Sequence, residues 1–451
     1  MDRPPPDIAA GRLSAEEIER NFADLHPPLS RSEALIAADR CYFCFAAPCT
    51  TACPTGIDIP RFIQSIRSDD LEGAAHAILS ENIMGGMCAR VCPTEVLCEE
   101  ACVRNVHEDK PVDIGLLQRH ATDPVFASGR QLFERAPSTA KHIAVVGGGP
   151  AALSCAHRLA CLGHAVTIFC RDGKLGGLNE FGIAAYKTVD DFAQREVAWI
   201  LAIGGIEVRA GVALGHQQSL GQLCRNHDAV FLAIGLAGVN QLGLDAESLP
   251  GVVDAVHFIA ELRQSPDKSR IPVGRRVVVV GGGMTAIDAA VQSRRLGAQD
   301  VTIVYRRGPE QMGASRFEQE LAQTSGVRIR HWARPLRLTG NEHVTRIEFE
   351  CTRAATDGRL EGTGETFALD ADVVFKAIGQ EIAWGELGAA DQVLRIAGGR
   401  IEVDSERKTS VDNVWAGGDC VAGGKDLTVS AVQDGKLAAL AIDRYLKAAS
   451  P

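Results

Sequence analysis

The chain has 451 residues, of which 46% are hydrophobic and 23% charged, and its formal net charge at pH 7 is −10. This length predicts two or three globular domains, and the acidic balance excludes the basic surface that nucleic acid or an anionic membrane would require. The start, MDRPPPDIAAGRLS, has no apolar signal-peptide core, and no apolar run approaches the length of a membrane span. We therefore expect a cytoplasmic protein.

The first motif in the chain is a pair of cysteine quartets, CYFCFAAPCTTACP and CARVCPTEVLCEEAC, which together hold eight of the 14 cysteines. Because the cytosol keeps thiols reduced, clustered cysteines favour metal over disulfides. Structural zinc usually takes its ligands as two close pairs. Iron–sulfur sites use three close thiols and a fourth followed by proline, as in the C-x3-C-P of the first quartet. The pattern favours two [4Fe–4S] clusters, with zinc as the alternative.

Residues 59–82, between the quartets, have apolar side chains at helical spacing. This spacing predicts two short helices separated at Gly73, which would fold the quartets toward each other.

The stretch IAVVGGGPAA at residues 143–152 begins a strand, glycine turn, helix and second strand. This unit is typical of dinucleotide binding, since glycines let the backbone approach a pyrophosphate and the helix N-terminus supplies amide donors. The turn residues predicted to bind are Gly147, Gly149, Pro150, Ala151 and Ala152. The acidic residue expected after the second strand is replaced by Cys170, so we expect its ribose contact to be lost or supplied by Asp172.

A second unit of the same kind begins at residue 277, VVVVGGGMTAIDAAV, with Gly281, Gly283 and Ala286 in its turn. Two such units predict two dinucleotides. Arg306 and Arg307 end the second strand, and arginine at this place favours the 2′-phosphate of NADPH over the free hydroxyl of NADH, which stays the alternative.

The tail, VWAGGDCVAGGKDLTVSAV, predicts a strand, a Gly-Gly-Asp turn and a long helix that starts near Thr428. Asp419 could accept hydrogen bonds from a flavin ribitol. With the first dinucleotide unit, this tail predicts an FAD domain that is split in sequence. The predicted fold is an α-helical N-terminal iron–sulfur domain (residues 1–140) followed by two α/β Rossmann-like domains, one for FAD (141–236 and 382–451) and one for NAD(P) (237–381).

From about residue 35 to 447 the chain resembles the FAD and iron–sulfur module shared by dihydropyrimidine dehydrogenases and the glutamate synthase small subunit. The two cysteine quartets, DIGLLQRHATD, GGLNEFGI and AGGDC carry the resemblance. It implies that one cluster is held by Cys41, Cys44, Cys49 and Cys102, and the other by Cys53, Cys92, Cys98 and Gln118, with Cys88 a bystander. Glutamine at 118 favours the pyrimidine enzyme, since glutamate synthase relatives tend to carry an acid there.

The resemblance also implies the residues around the organic cofactors. FAD would be held by Gly149, Gly177, Leu178, Lys187, Gly418 and Asp419. The tail motif itself adds the helix start near Thr428, whose amides can point at the flavin ring or pyrophosphate. The nicotinamide cofactor would lie on Gly283, Thr285, Arg306 and Arg307, with Gly379 nearby. Met284, in the same turn, stands where relatives often have Asn or Asp. Gly313 stands where an NADPH-using relative has another arginine, which favours NADH and balances the arginine pair.

The function that follows is electron input. The chain would oxidise NAD(P)H through FAD and pass electrons through two [4Fe–4S] clusters to an FMN-containing partner, in a hetero-oligomer that reduces uracil or thymine. No FMN domain follows residue 447, which implies the partner, and no catalytic side-chain constellation is expected. The alternatives are a glutamate synthase small subunit, a related NAD(P)H-dependent donor, or a zinc-stapled nucleotide sensor.

Overall fold

The structure is a computed structural model that describes residues 7–388 and 393–448. The chain forms two compact units, each assembled from separate stretches. The smaller unit comprises Met1–Leu25, Phe181–Val189 and Val239–Gln380, and the larger comprises His26–Glu180, Asp190–Gly238 and Glu381–Pro451. The larger unit thus contains most of the predicted helical domain, the second predicted part of the FAD domain, and the first part except Phe181–Val189. The finer domain boundaries stay predictions.

The helices of the described residues are α1 (Ala15–Asn21), α2 (Arg31–Asp39), α3 (Pro48–Ala52), α4 (Ile59–Arg67), α5 (Leu71–Glu81), α6 (Gly85–Val91), α7 (Asn105–Glu108), α8 (Ile114–Ser128), α9 (Pro150–Cys161), α10 (Leu178–Phe181), α11 (Phe192–Leu201), α12 (Leu220–Asn226), α13 (Ala255–Gln264), α14 (Met284–Arg295), α15 (Arg316–Thr324) and α16 (Thr428–Ala448). The strands are β1 (Ile8–Ala9), β2 (His142–Val146), β3 (Ala165–Cys170), β4 (Ile206–Ala210), β5 (Ala229–Leu232), β6 (Gly238–Val239), β7 (Val252–Asp254), β8 (Val273–Gly274), β9 (Arg276–Gly281), β10 (Asp300–Val304), β11 (Arg328–Arg330), β12 (Ala333–Gly340), β13 (Val344–Ala354), β14 (Leu360–Asp370), β15 (Val373–Ala377), β16 (Gln380–Glu381), β17 (Ile396–Ala397), β18 (Arg400–Ile401) and β19 (Val414–Ala416).

Helices α2 to α8 form the N-terminal part of the larger unit. Helix α4 buries four residues at helical spacing, Ile59, Phe62, Ile63 and Ile66. The predicted pair of helices is present as α4 and α5, but the predicted break at Gly73 is wrong. The break lies at residues 68–70, because the Asp70 side chain accepts a hydrogen bond from Gly73 N and so begins α5 three residues before the glycine.

The rest of the larger unit is built on a five-stranded parallel sheet with the order β19-β5-β2-β3-β4. Strand β2 lies at the centre and is fully buried over Ile143–Val146, as expected for a parallel sheet covered on both faces. The tail strand β19 pairs with β5, so the N-terminal and C-terminal stretches of this unit share one sheet.

The smaller unit has a second five-stranded parallel sheet with the order β11-β10-β9-β15-β7. An antiparallel sheet, β12-β13-β14, is inserted between β11 and β15. Both parallel sheets place their glycine turns at the carboxyl end of a central strand, which is where open α/β sheets bind ligands.

Among residues 7–388 and 393–448, no helix combines the length and the apolar character needed to cross a membrane.

Candidate cofactor sites

The first group of predicted cluster ligands surrounds a single pocket in the larger unit. The pocket encloses about 370 Å³, part of it open to solvent, and its lining includes Cys41, Cys44, Cys49 and Cys102. Apolar side chains such as Ile59, Ile63 and Ile114 complete the wall. Four thiols from three elements therefore converge on one apolar space, as the proposed ligand set of a cluster requires.

Loop geometry brings these thiols together. Phe43 and Ala47 have left-handed φ values of 52° and 37°, which non-glycine residues rarely adopt. Both residues lie in the CYFCFAAPC loop, so the chain is strained where it wraps around the pocket.

Two thiols of this pocket ionise less readily than an exposed cysteine. Burial raises the pKa of the Cys41 thiol and raises that of Cys49 to about 11, and the nearby Cys102 thiol raises both further. Burial thus disfavours free thiolates at this place, and a bound cation would favour them.

The second group of predicted ligands gathers around helix α6. Cys92 caps its C-terminus, and a hydrogen bond between the Cys92 and Cys88 side chains, followed by burial, raises the pKa of Cys92, with Cys98 and Cys53 close enough to raise it further. Cys88, predicted to be a bystander, thus lies beside the ligands. Which of the two thiols binds iron stays a prediction.

Gln118, the predicted oxygen ligand, is buried on α8. Its Nε2 donates a hydrogen bond of 2.6 Å to the carbonyl of Gly85 at the start of α6. This bond fixes the amide against the helix that leads to Cys92.

No three His, Cys, Asp or Glu side chains in the described parts of the chain converge tightly enough to hold one metal ion. A zinc site needs four ligands at about 2.0–2.3 Å from a single centre. A cubane instead takes one thiolate at each of its separate iron atoms, so its ligands stand further apart.

The predicted flavin turn follows β2 in the larger unit. Gly147 has φ +117°, and a Cβ there would collide with the carbonyl of Ala233. Gly149 is the N-cap of α9. A Cβ on Gly177 would lie 2.7 Å from the Gly149 Cα, so the GGLN stretch packs directly on the turn and only glycine fits. The structure therefore brings together predicted residues that are separated in sequence.

The tail contributes to the same place. Gly418 lies against Ala151, since a Cβ on Gly418 would be 3.4 Å from that of Ala151. Burial and the neighbouring Asp426 raise the pKa of Asp419 to about 6. Thr428 begins α16 and donates a hydrogen bond of 2.6 Å to Asn179 Oδ1. Both parts of the split domain thus meet at the glycine turn.

Two contributors to this site were not predicted. Asn179 connects Thr428 to the GGLN stretch. Gly435 lets α16 approach α9, because a Cβ there would collide with the carbonyl of Ala151. A glycine inside a long helix was a readable signal of close packing, whereas a single asparagine gave none.

Cys170, which replaces the expected acid, ends β3 and is buried. A Cβ on Gly148 would lie 2.6 Å from its Sγ, so the thiol packs against the turn. The neighbouring Asp172 pairs with exposed Arg171 at 3.4 Å. The ribose contact of Asp172 stays a prediction.

Lys187, predicted with the flavin residues, is placed elsewhere. It belongs to the smaller unit, where its Nζ lies 2.7 Å from Asp288 Oδ1 and 2.7 Å from Glu318 Oε1. Burial lowers the pKa of Lys187, but Asp288 and Glu318 raise it, and the net pKa is above its ordinary value. The ammonium is therefore neutralised by this buried network, and its contact with flavin remains only a prediction.

The predicted nicotinamide residues lie in the smaller unit. Gly281 has φ +149°, and Gly283 is the N-cap of α14, whose first turn contains Met284, Thr285 and Ala286. Arg306 and Arg307 follow β10 and are exposed. Gly379, with φ +98°, follows β15, and its carbonyl accepts a hydrogen bond of 3.2 Å from Asn240 N. These residues therefore follow three neighbouring strands of one sheet.

Known proteins match this layout. The family described as dihydropyrimidine dehydrogenase domain II, 4Fe-4S cluster, matches residues 18–130, and pyridine nucleotide-disulphide oxidoreductase matches residues 141–435. The chain belongs to the pyridine nucleotide-disulphide oxidoreductase family. It is a NAD(P)H-dependent flavin and iron–sulfur oxidoreductase that resembles electron-input proteins, and the predicted order of an iron–sulfur domain before the nucleotide-binding part is confirmed.

Two relatives are similar to this chain over almost their whole length. The chain is 33% identical over 433 residues to the NAD-dependent dihydropyrimidine dehydrogenase subunit PreT homolog of Salmonella typhi, covering 96% of this chain and 99% of that one. It is also 33% identical over 458 residues to the glutamate synthase [NADPH] small chain of Escherichia coli, covering 96% of each.

Solved structures share the fold of the nucleotide-binding part. Mycobacterium tuberculosis FprA in complex with NADPH aligns with a TM-score of 0.58 at 21% identity, covering 70% of this chain and 86% of that one. Thioredoxin reductase of T. acidophilum aligns with a TM-score of 0.51 at 21% identity, covering 68% and 99%.

Proposed function

We propose that this chain is the electron-input subunit of a dihydropyrimidine dehydrogenase. It would oxidise NAD(P)H and deliver electrons through two [4Fe–4S] clusters to an FMN-containing partner subunit that reduces uracil or thymine. Relatives that are themselves named as subunits of dihydropyrimidine dehydrogenase support the partner. We also expect a cytoplasmic location, where the clustered thiols stay reduced.

One observation carries the proposal. Asn179 accepts a hydrogen bond from Thr428 at the start of α16, and its Nδ2 contacts Met84 Sδ at 3.9 Å. Met84 directly precedes α6, the helix capped by Cys92. Buried side chains therefore connect the proposed flavin residues to a proposed cluster ligand inside one compact unit, which supports electron transfer between them.

A second connection starts from Lys436, further along α16. Lys436 donates hydrogen bonds of 2.8 Å to the carbonyl of Thr55 and 2.8 Å to Glu81 Oε2. The Thr55 hydroxyl in turn lies 3.3 Å from Cys53 Sγ. The long tail helix is thus anchored to the loop of another proposed ligand of the second cluster.

Each group of residues has a distinct role in this proposal. When bound, the flavin would accept a hydride and the clusters would carry single electrons. Gly147 and Gly149 allow the backbone of the larger unit to approach a pyrophosphate, and Asp419 accepts ribitol hydroxyls. In the smaller unit, Gly281 and Gly283 allow the backbone to approach the pyrophosphate of the nicotinamide dinucleotide. In this proposal each of the two parallel sheets belongs to its own Rossmann-like domain.

The ligand sets are also part of the proposal. Cys41, Cys44, Cys49 and Cys102 hold one cluster, supported by their shared pocket. Cys53, Cys92, Cys98 and Gln118 hold the other. The neutral glutamine favours the pyrimidine enzyme over glutamate synthase. Glutamate synthase is the second candidate, because its E. coli small chain has the same sequence identity to this chain, 33%, as the PreT homolog.

Anaerobic isolation of the tagged chain from its own cells, with whatever co-purifies, tests the proposal. We expect NADH or NADPH oxidation that depends on uracil and follows the co-purified partner. Glutamine with 2-oxoglutarate serves as the matched acceptor control. If dye reduction by NAD(P)H persists while uracil has no effect, the pyrimidine assignment is wrong, and stimulation by glutamine and 2-oxoglutarate would establish the second candidate.

A further inference from the structure

A tryptophan with an unusual backbone conformation lies beside the arginine pair of the smaller unit. Trp332 follows β11 and has φ +59°. Among the described residues of this unit, Ala246 is the other non-glycine residue with a left-handed φ. A bulky side chain rarely adopts this conformation, and such strain persists only where the surroundings impose it, often at binding sites.

Hydrogen bonds to the turn after β10 hold the Trp332 backbone in this conformation. Trp332 N donates a hydrogen bond of 3.2 Å to the carbonyl of Arg307, and its own carbonyl accepts one of 2.8 Å from Thr352 N. The Thr352 hydroxyl donates a further bond of 2.8 Å to the carbonyl of Arg306. The Trp332 backbone is therefore bonded directly to Arg307 and, through Thr352, is connected to Arg306.

The indole ring itself lies against this turn. A Cβ on Gly308 would be 2.9 Å from Trp332 Cζ2, so glycine at 308 leaves room for the ring. Trp332 is only partly buried, while the flanking Ala333 is buried. A partly exposed aromatic ring thus packs on the turn that carries the exposed residues Arg306 and Arg307.

The position of Trp332 in the parallel sheet indicates which part of a bound dinucleotide would lie near its ring. Strands β10 and β11 are parallel neighbours, with Val304 paired to Arg330, so Arg306 and Trp332 follow the same carboxyl edge. The glycine turn after β9, on the other side of β10, is the proposed pyrophosphate site. The adenosine end of a dinucleotide extends from the pyrophosphate toward the end of the second strand.

We propose that Trp332 is the aromatic wall against which the adenine ring of the nicotinamide dinucleotide stacks. This inference rests on the proposed dinucleotide site of the smaller unit. Trp332 binds the base and so serves NADH and NADPH alike, whereas Arg306 and Arg307 contact only a 2′-phosphate. Affinity and phosphate discrimination are thereby assigned to different residues of one turn.

Isothermal titration of the holoprotein with 5′-AMP and with 2′,5′-ADP tests the proposal without any redox readout. Trp332→Gly removes the ring and also relieves the left-handed backbone, so it should fold. We expect it to weaken binding of both nucleotides by the same factor, about tenfold, the usual size of a base-stacking contribution. Trp332→Phe should restore most of the affinity.

Ala246→Gly is the matched control, because it relaxes the other left-handed residue without removing a ring, and it should leave both affinities unchanged. Arg306→Ala with Arg307→Ala should weaken only 2′,5′-ADP. Unchanged binding of both nucleotides by Trp332→Gly would overturn the role of Trp332 while leaving the site in place. If the unaltered protein binds neither nucleotide, the dinucleotide site itself is wrong, and this inference is overturned with it.

Discussion

Thr428 and Asn179 are 249 residues apart in the chain, yet the threonine hydroxyl donates a 2.6 Å hydrogen bond to the asparagine side chain. The bond joins the tail helix to the GGLN stretch beside the glycine turn. It is the shortest link between the two sequence parts of the proposed flavin domain that the structure describes around this turn. The proposed flavin site therefore draws on residues from both parts.

Replacing Thr428 with valine removes this hydroxyl while keeping the shape of the side chain. We expect the free energy of unfolding to fall by about 1 kcal/mol, the usual net contribution of a hydrogen bond, and FAD to dissociate faster. Flavin fluorescence on release and urea unfolding measure the two effects. Thr324→Val removes a hydroxyl that bonds only within α15, at 2.8 Å to Glu320 O, and should leave FAD retention unchanged. Equal FAD loss in both variants would contradict the link.

The glycine turns could be predicted because their requirement is local. Gly147 and Gly281 take positive φ values at the end of a strand, and a run of valine and isoleucine followed by three glycines signals this arrangement. The grouping of thiols was also readable from spacing. Three other features could not be predicted from the sequence, since each depends on a residue brought near only by the tertiary fold. They are the hydrogen-bond partner of Asn179, the buried ion pairs of Lys187 and the left-handed backbone of Trp332.

Cys88 and Cys92 lie one helical turn apart on α6 and share a hydrogen bond, so they provide a direct test of the ligand assignment. We expect Cys92→Ser to lose roughly half of the iron, because one of two clusters loses a thiolate. Cys88→Ser should keep all of it. Iron analysis and electron paramagnetic resonance of the reduced protein measure the outcome. Iron loss from the Cys88 variant with retention in the Cys92 variant would reverse the assignment.

Glu196 makes the stability of the larger unit depend on pH. Its side chain is fully buried, and Oε1 accepts hydrogen bonds from Gly86 N at 2.9 Å and Met87 N at 3.0 Å. Burial raises its pKa from 4.5 to about 8, with Arg90 and Asp123 as the nearby charges. The folded protein therefore holds a proton that the unfolded chain releases between these two pH values.

It follows that the Glu196 contribution to the free energy of unfolding is greatest below pH 4.5 and is lost as the pH rises toward about 8, at no more than about 1.4 kcal/mol per pH unit. Glu196→Gln keeps the acceptor oxygen but cannot ionise. From pH 5 to 8, the unfolding free energy of the unaltered protein should therefore fall steadily relative to that of the Gln variant. A constant difference across this range would show that Glu196 does not titrate there.

Lys187 is surrounded by Asp288 and Glu318, each 2.7 Å from its ammonium. Lys187→Met leaves two buried carboxylates without their cation, and we expect a loss of about 3–5 kcal/mol in unfolding free energy. The triple variant that adds Asp288→Asn and Glu318→Gln removes all three charges and should recover much of that loss. Urea denaturation of both variants measures the effect. A triple variant less stable than Lys187→Met would contradict the electrostatic explanation.

Gly313 lies beside the glycine turn of the proposed nicotinamide site, and we expect this position to influence the choice between NADH and NADPH. A Cβ at this position would be 3.7 Å from the Gly283 Cα, an ordinary contact, so a side chain can be added without disturbing the turn. Gly313→Arg would place a third guanidinium near Arg306 and Arg307, and a bidentate contact to the 2′-phosphate becomes available. We expect the ratio of kcat/KM for NADPH to that for NADH to rise about tenfold, equivalent to roughly 1.4 kcal/mol.

The uncharged variant Gly313→Met has a flexible side chain but no positive charge, so it separates electrostatics from crowding. It should leave the NADPH to NADH ratio near that of the unaltered protein. Added salt should reduce the gain of the arginine variant, because screening weakens an exposed contact between charges. A rise of the same size in both variants would mean that side-chain bulk, and not charge, selects the cofactor at this position.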